Sequence, residues 1–277
     1  MKMRGKALNI LLFALTVVST YLIGGGWYSL SLISILLAHE MGHFVMSRRH
    51  GVPASLPYFL PVPIPPFGTF GAIIKMKGRM RSRRALFDIG VAGPLMGLFI
   101  TLPAIIIGLL LSKPVLLAQT QDNLFHLGDS LLFVIVEKAV LGDLPEGYDL
   151  VLHPIAYAGW VGLFVTALNL LPVGQLDGGH ITYALFGRKS KIIFGLTIML
   201  WMGISFFFYV GWTLMIVLVL LFGFRHPPPL DDVTPLDLKR KILGGIVFSL
   251  FILSFTPVPF TQAPGGIKDI LQLVLRG

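Results

Sequence analysis

The sequence predicts an all-α polytopic membrane protein of about seven transmembrane helices, with a small membrane-associated β segment near residues 67–77. Three observations carry this expectation. Hydrophobic residues fill 55% of the 277 positions against 13% charged, and the mean hydropathy is +0.83, a balance foreign to a water-soluble domain. Apolar runs near the roughly 20 residues that a helix needs to cross a bilayer recur along the chain. The basic residues behind the net charge of +9 sit in short clusters between those runs, which is the distribution of cationic loops beside a lipid bilayer and gives no reason to expect a nucleic-acid partner. Cysteine is absent, which excludes disulfides, thiolate metal sites and a thiol nucleophile.

Taken in order, the expected spans cover residues 7–23, 27–46, 86–112 and 152–171. The run 192–224 is too long for one crossing and reads as two short helices hinged near 209–211, and a last span covers 242–256. The first run follows Lys2, Arg4 and Lys6 as in a signal peptide, but Ile23-Gly24-Gly25-Gly26 is a poor small-residue cleavage site, so it is read as a retained span. Charge bias gives orientation. Residues 47–84 hold Arg48, Arg49, Lys75, Lys77, Arg79, Arg81, Arg83 and Arg84 and no acid. Residues 112–151 hold Lys113 and Lys138 against a majority of Asp and Glu. The first loop is therefore expected in the cytoplasm with the N-terminus, and the second outside. A short amphipathic helix is expected at 131–141.

The loop after the second span carries Pro53, Pro57, Pro61, Pro63, Pro65 and Pro66, then Phe67-Gly68-Thr69-Phe70-Gly71-Ala72-Ile73-Ile74. That proline density forbids a regular helix, and the tail reads as a strand or hairpin. Two uses stand equal: a membrane-inserted edge that pairs with an extended substrate through the Gly68 and Gly71 region, or a loop skimming the lipid surface.

Chemistry concentrates in the second span, which contains His39-Glu40-Met41-Gly42-His43, an H-E-x-x-H motif. Four residues apart on a helix, His39 and His43 share one face and offer two imidazoles to one tetrahedral ion, with Glu40 placed as general base. Polar groups of this kind cost roughly 2.5 to 3.5 kcal/mol each at the centre of a spanning helix, which calls for a compensating ion or function. A zinc site wants a third protein donor. The fourth span ends in Asn169-Leu170-Leu171-Pro172-Val173-Gly174-Gln175-Leu176-Asp177-Gly178-Gly179-His180, where proline and glycines break the helix at the expected depth of His39 and His43. Asp177 is favoured over His180 as the donor, because a carboxylate offsets part of the metal charge. Asn169 is a candidate for orienting the site or binding a substrate backbone, with helix packing as its plain alternative. His153 reads as a boundary residue, and His50 and Glu137 receive no role.

Through this motif and the N-x-x-P-x-x-x-x-D-G pattern at Asn169, Pro172, Asp177 and Gly178, the chain resembles the site-2 proteases, the intramembrane zinc metalloproteases of peptidase family M50. Gly90-Val91-Ala92-Gly93-Pro94-Leu95 resembles the family's Gly-Pro break, and the stretch 153–180 is most similar to the plastid and cyanobacterial branch without a PDZ domain. The resemblance implies a three-helix catalytic core within 27–187, C-terminal helices at 190–256 and a single domain over 1–277. It also implies zinc held by His39, His43 and Asp177, Glu40 as catalytic acid/base, Asn169 near the scissile bond, and a transmembrane protein as substrate. It fixes no oligomeric state. A divalent-metal transporter explains the ligands but gives Glu40 no purpose, and an inactive homologue that binds membrane segments predicts damaged ligands where these are intact.

Overall fold

The computed structural model describes residues 2–76, 78–116, 127–222 and 228–260. Residue 77 of the expected β segment and 225–227 of the polar linker lie outside them.

The first helical stretch, α1 (Lys2–Arg49), is broken at Gly25, whose φ of 75° and ψ of −173° are open to glycine. In an unbroken helix residues 20 and 29 would stand about 13 Å apart along the axis, yet Thr20 Oγ1 lies 2.7 Å from Ser29 Oγ. The chain therefore doubles back into two arms, which are the runs 7–23 and 27–46 read from the sequence. Next comes a two-stranded antiparallel sheet, β1 (Tyr58–Pro61) with β2 (Thr69–Ile73). Its connecting tip is lodged among helices: Ser19 Oγ donates to the Gly68 carbonyl, Tyr28 Oη to Phe67 at 2.8 Å and Tyr157 Oη to Pro66 at 2.8 Å. Asn9 Nδ2 ties the base to the Pro57 carbonyl at 2.8 Å. Irregular backbone at membrane depth is stable only with such partners.

α2 (Arg83–Leu111) starts where the Ser82 side chain accepts from the Ala85 amide and carries Pro94 and Pro103 inside it. β3 (Lys113–Leu116) pairs antiparallel with β4 (Tyr148–Val151), and α3 (Leu131–Leu141) lies between them in sequence, capped by Ser130. α4 (Pro154–Leu170) begins with Pro154 at its first turn and His153 Nδ1 accepting from the Ile155 amide, so His153 is a helix cap. The Pro172 and Gly174 turn separates α4 from α5 (Asp177–Phe186). Then follow a short 3-10 turn, α6 (Ser190–Phe207), α7 (Trp212–Phe222) and α8 (Leu238–Ser254), the last capped by Asp237 accepting from the Arg240 amide.

α1, α2 and α4 pack mutually, and α5 packs on α2. An aromatic column binds them: Tyr28 stacks on Tyr157 at 5.1 Å, Trp160 on Phe164 at 5.6 Å, and Phe164 leans on Trp212 at 6.0 Å. Outward, Leu22, Leu110 and Met199 are about two thirds exposed, as suits a surface facing hydrocarbon.

By length and composition, three helical stretches among the described residues suffice to cross a membrane: Ala7–Arg49, Arg83–Leu111 and Asp177–Phe207. Pro154–Leu170 and Trp212–Leu221 are shorter apolar helices. The long run 192–224 divides into α6 and α7 about a break at 208–211, where the sequence placed the hinge; 223 and 224 lie outside the described residues. The β segment is larger than expected, because Tyr58–Pro61 pairs with it and a second sheet joins 113–116 to 148–151.

Candidate metal centre

His39, Glu40 and His43 lie in one turn of the second arm of α1, all buried. Two helices are cut away to make room for them. At Gly42 of α1 a Cβ would sit 2.4 Å from the Ala92 carbonyl oxygen of α2, and at Gly93 of α2 one would sit 2.0 Å from His43 Nε2. Gly97 faces His39 at 3.2 Å in the same way. The His43 imidazole therefore lies in a cradle that a Cβ at Gly93 would fill, whereas Gly97 leaves His39 a close but tolerable contact.

Asp177 arrives from the broken end of α4. Gly178 and Gly179 allow the first turn of α5 to fold back on that end, since a Cβ at either would clash with the Leu170 or Gly174 carbonyl at 2.0 and 2.4 Å. As a result Asp177 Oδ2 stands 3.3 Å from His39 Nε2 and 3.2 Å from His43 Nε2, and the two Nε2 atoms are 3.1 Å apart. Ligands at about 2.0 to 2.1 Å around a tetrahedral zinc stand about 3.3 Å from one another, so this triangle fits the ion. The tautomer agrees. His43 Nδ1 lies 2.8 Å from the Ile89 carbonyl, which can only accept, so the proton is on Nδ1 and Nε2 presents a lone pair. With Nε2 so presented and the Asp177 carboxylate oxygen 3.2 Å away, the pair is placed for a cation to bridge it. Among the described residues these three form the group able to hold a metal.

The remaining expected residues fall as follows. Glu40 is beside the group and its carboxyl receives the Ile74 backbone amide, which brings the end of β2 to the site. Asn169 Nδ2 is 3.4 Å from His39 Nε2. Gly71, at φ 88°, is buried, although a Cβ there would meet nothing within 4 Å, and its amide is taken by Thr69 Oγ1 at 3.0 Å. Gly68 is likewise buried, against Ser19, Thr20 and Ile23 of α1, so the exposed positions of β2 are Phe70 and Ile73 and not the two glycines. His180 stands in the first turn of α5, apart from the group. Sequence reasoning missed the Ile89 carbonyl, the Ile74 amide and the Gly93 and Gly97 cradle. The first two are backbone groups without a residue signature, whereas the glycines, four apart and packed opposite a pair of histidines also four apart, offered a readable spacing.

Known proteins are similar to this chain. The description "Peptidase family M50" matches residues 27–212. The chain is 37% identical over 235 residues to a protein named probable zinc metalloprotease EGY1, chloroplastic, of Arabidopsis thaliana, covering 82% of this chain and 42% of that one. It is 34% identical over 251 residues to probable zinc metalloprotease EGY2, chloroplastic, of Oryza sativa subsp. indica, covering 88% and 45%. To probable zinc metallopeptidase EGY3, chloroplastic, of Arabidopsis thaliana it is 32% identical, covering 81% and 41%. The chain thus spans less than half the length of these relatives. With its long apolar helices it is an integral membrane protein, and it belongs to peptidase family M50, on the side of the plastid relatives.

Proposed function

We propose that the chain is an intramembrane zinc metalloprotease that cleaves a peptide bond within or near a transmembrane segment of a membrane-protein substrate. The observation that carries this is the triangle of His39, His43 and Asp177 donor atoms, 3.1 to 3.3 Å on a side, with the Glu40 carboxyl beside it. Zinc held there supplies Lewis-acid activation of water and of the scissile carbonyl. Glu40 takes the proton from the attacking water and delivers it to the leaving amine. Asn169 holds the substrate backbone on the α4 side, and β2 around Gly71, exposed at Phe70 and Ile73, keeps the substrate extended, as cleavage of a helical segment requires. The names of the relatives, probable zinc metalloproteases, support the same reading.

The proposal extends to layout. The basic residues 47–84 place the N-terminus and the metal group toward the cytoplasm, with the α1 hairpin contributing two of about seven crossings. Residues 27–187 form the catalytic core of a single domain, and 190–256 supply its flanking helices.

The test is cleavage of a single-span substrate in vesicles by the wild type and by Glu40→Gln, with zinc measured in both. Glu40→Gln is expected to keep zinc and to lose about 100- to 10,000-fold in rate. Equal cleavage by the two, or a wild type purified without zinc, would overturn the proposal.

A further inference from the structure

α8 lies outside the stretch matched to the family, yet one of its side chains reaches the element that holds His43. Arg240 grips Asp88 of α2 with a two-pronged fork, Nε to Oδ1 at 2.7 Å and Nη2 to Oδ2 at 2.7 Å, and its Nη1 also meets Asp237. Asp88 is bound from a third side by His50 Nε2 at 2.9 Å, at the end of α1. Its carboxyl is thus shared by the end of α1 and the start of α8. The next residue in α2 is Ile89, whose carbonyl accepts from His43 Nδ1 at 2.8 Å.

We propose that Arg240 is a positioning residue for the metal centre: its fork on Asp88 fixes the α2 turn whose Ile89 carbonyl orients the His43 imidazole. This rests on the reading of His39, His43 and Asp177 as zinc ligands. The physical argument has two steps. A bidentate guanidinium–carboxylate pair constrains direction as well as distance, and Asp88 is mostly buried, with 16% of its side chain exposed, so the pair is screened less than a surface pair. A histidine ligand whose second nitrogen is held by a fixed acceptor presents its lone pair in one orientation, and loosening such outer partners weakens metal binding by about 10- to 100-fold. The Ile89 carbonyl belongs to the next peptide unit of the same helical turn, so holding that turn at Asp88 holds the carbonyl's direction. His50 holds the same carboxyl from the α1 side, which ties the end of the helix that carries both histidines to the fork.

The experiment uses the full chain in detergent. Zinc release to a chelator is timed, and the absorption bands of the cobalt(II)-substituted protein, which report ligand geometry, are recorded for the wild type, Arg240→Gln, Arg240→Lys, Asp88→Asn, the Arg240→Gln/Asp88→Asn double variant and Asp237→Asn. Arg240→Gln is expected to release zinc at least about 10-fold faster and to shift the cobalt bands. Arg240→Lys keeps the charge without the fork and falls between it and the wild type. The double variant is no worse than the worse single one, because both changes remove one pair. Asp237→Asn removes the other ion pair of Arg240, keeps a capping side chain, and matches the wild type. Unchanged release and bands in Arg240→Gln would overturn the proposal, as would Asp237→Asn matching Arg240→Gln, which would reduce the fork to an anchor for α8. Should Arg240→Gln fail to fold, Arg240→Lys decides: release faster than wild type supports the proposal and equal release overturns it. A wild type without zinc sinks the metal reading itself, whereas a zinc-loaded wild type with unaffected Arg240 variants sinks only this one.

Discussion

At Gly93 a single methyl group has nowhere to go, since its carbon would lie 2.0 Å from His43 Nε2. Gly93→Ala must push the imidazole out of line or part α1 from α2, and overpacking of this kind costs about 1 to 3 kcal/mol. The expected outcome is a folded protein whose zinc content drops at least about 10-fold, measured by elemental analysis beside thermal unfolding. Gly97→Ala, with 3.2 Å to His39, is expected to keep most of its zinc, so equal zinc loss in both variants would refute the cradle. The residues that make the metal triangle were readable because each has a chemical signature at a fixed spacing: helical geometry alone puts His39 and His43 on one face, and Pro172 with its glycines announces the break that frees Asp177. What holds those residues was not readable. The Ile89 carbonyl and the Ile74 amide belong to the backbone, and Asp88 and Arg240 are 152 positions apart.

Among the elements, the β1–β2 hairpin depends most on single hydrogen bonds. Tyr28 and Tyr157 each give their hydroxyl to a carbonyl in its tip, and a buried hydrogen bond of this type is worth about 1 kcal/mol. Tyr28→Phe and Tyr157→Phe are each expected to lower the unfolding temperature while leaving zinc bound, and the double variant to slow cleavage further than either. Unchanged proteolytic sensitivity of residues 62–68 in the double variant would show that the tip is held by packing instead. The pairing of this strand escaped the sequence because Pro57 and Pro61 flank Tyr58–Pro61 and hide its β character, whereas the turn and glycines before Ile73 expose that of its partner. At the far end of α4, about 25 Å from Asp177 by the rise of its 17 residues, Asp129, Glu137 and Asp149 line a cavity of about 580 Å³ with Phe133, Tyr157 and Trp160. Burial and then repulsion from Asp149 raise Asp129, and burial and then Asp129 and Asp149 raise Glu137. Carboxyls raised in the folded state contribute stability that is complete below their unfolded value of about 4 and is lost as pH rises through the folded one. The α3 cap is therefore weakest at neutral pH. Glu137→Gln is expected to slow amide exchange in 131–141 at pH 7 and to flatten its change toward pH 5, once the intrinsic exchange rate is corrected. Faster exchange in that variant would reverse the assignment of repulsion.

For the whole molecule, a metal held by the proposed ligands would be a cross-link between parts of the chain that sequence keeps apart. His39 and His43 belong to α1, Asp177 to the start of α5, and their Nε2 and Oδ2 atoms meet within 3.3 Å across a sequence separation of 134 or more. The apolar runs and charge clusters disclosed that the chain is a membrane helical bundle, because burial in lipid leaves a compositional mark. They did not disclose which helices span, since the apolar run 154–170 forms a helix of only 17 residues. An ion that binds the folded bundle and not the unfolded chain stabilises it by about 2.7 kcal/mol when free metal is at 100 times its dissociation constant. Chelation is therefore expected to lower the unfolding temperature of the wild type in a reversible, zinc-restorable manner. Asp177→Ala removes the one ligand that does not come from α1, so its unfolding temperature is expected to sit near that of the chelated wild type and to ignore both chelator and added zinc. His180→Ala is expected to respond to zinc as the wild type does. If Asp177→Ala kept the zinc response and His180→Ala lost it, the cross-link would run through His180, and the broken segment after α4 would place a different donor at the metal.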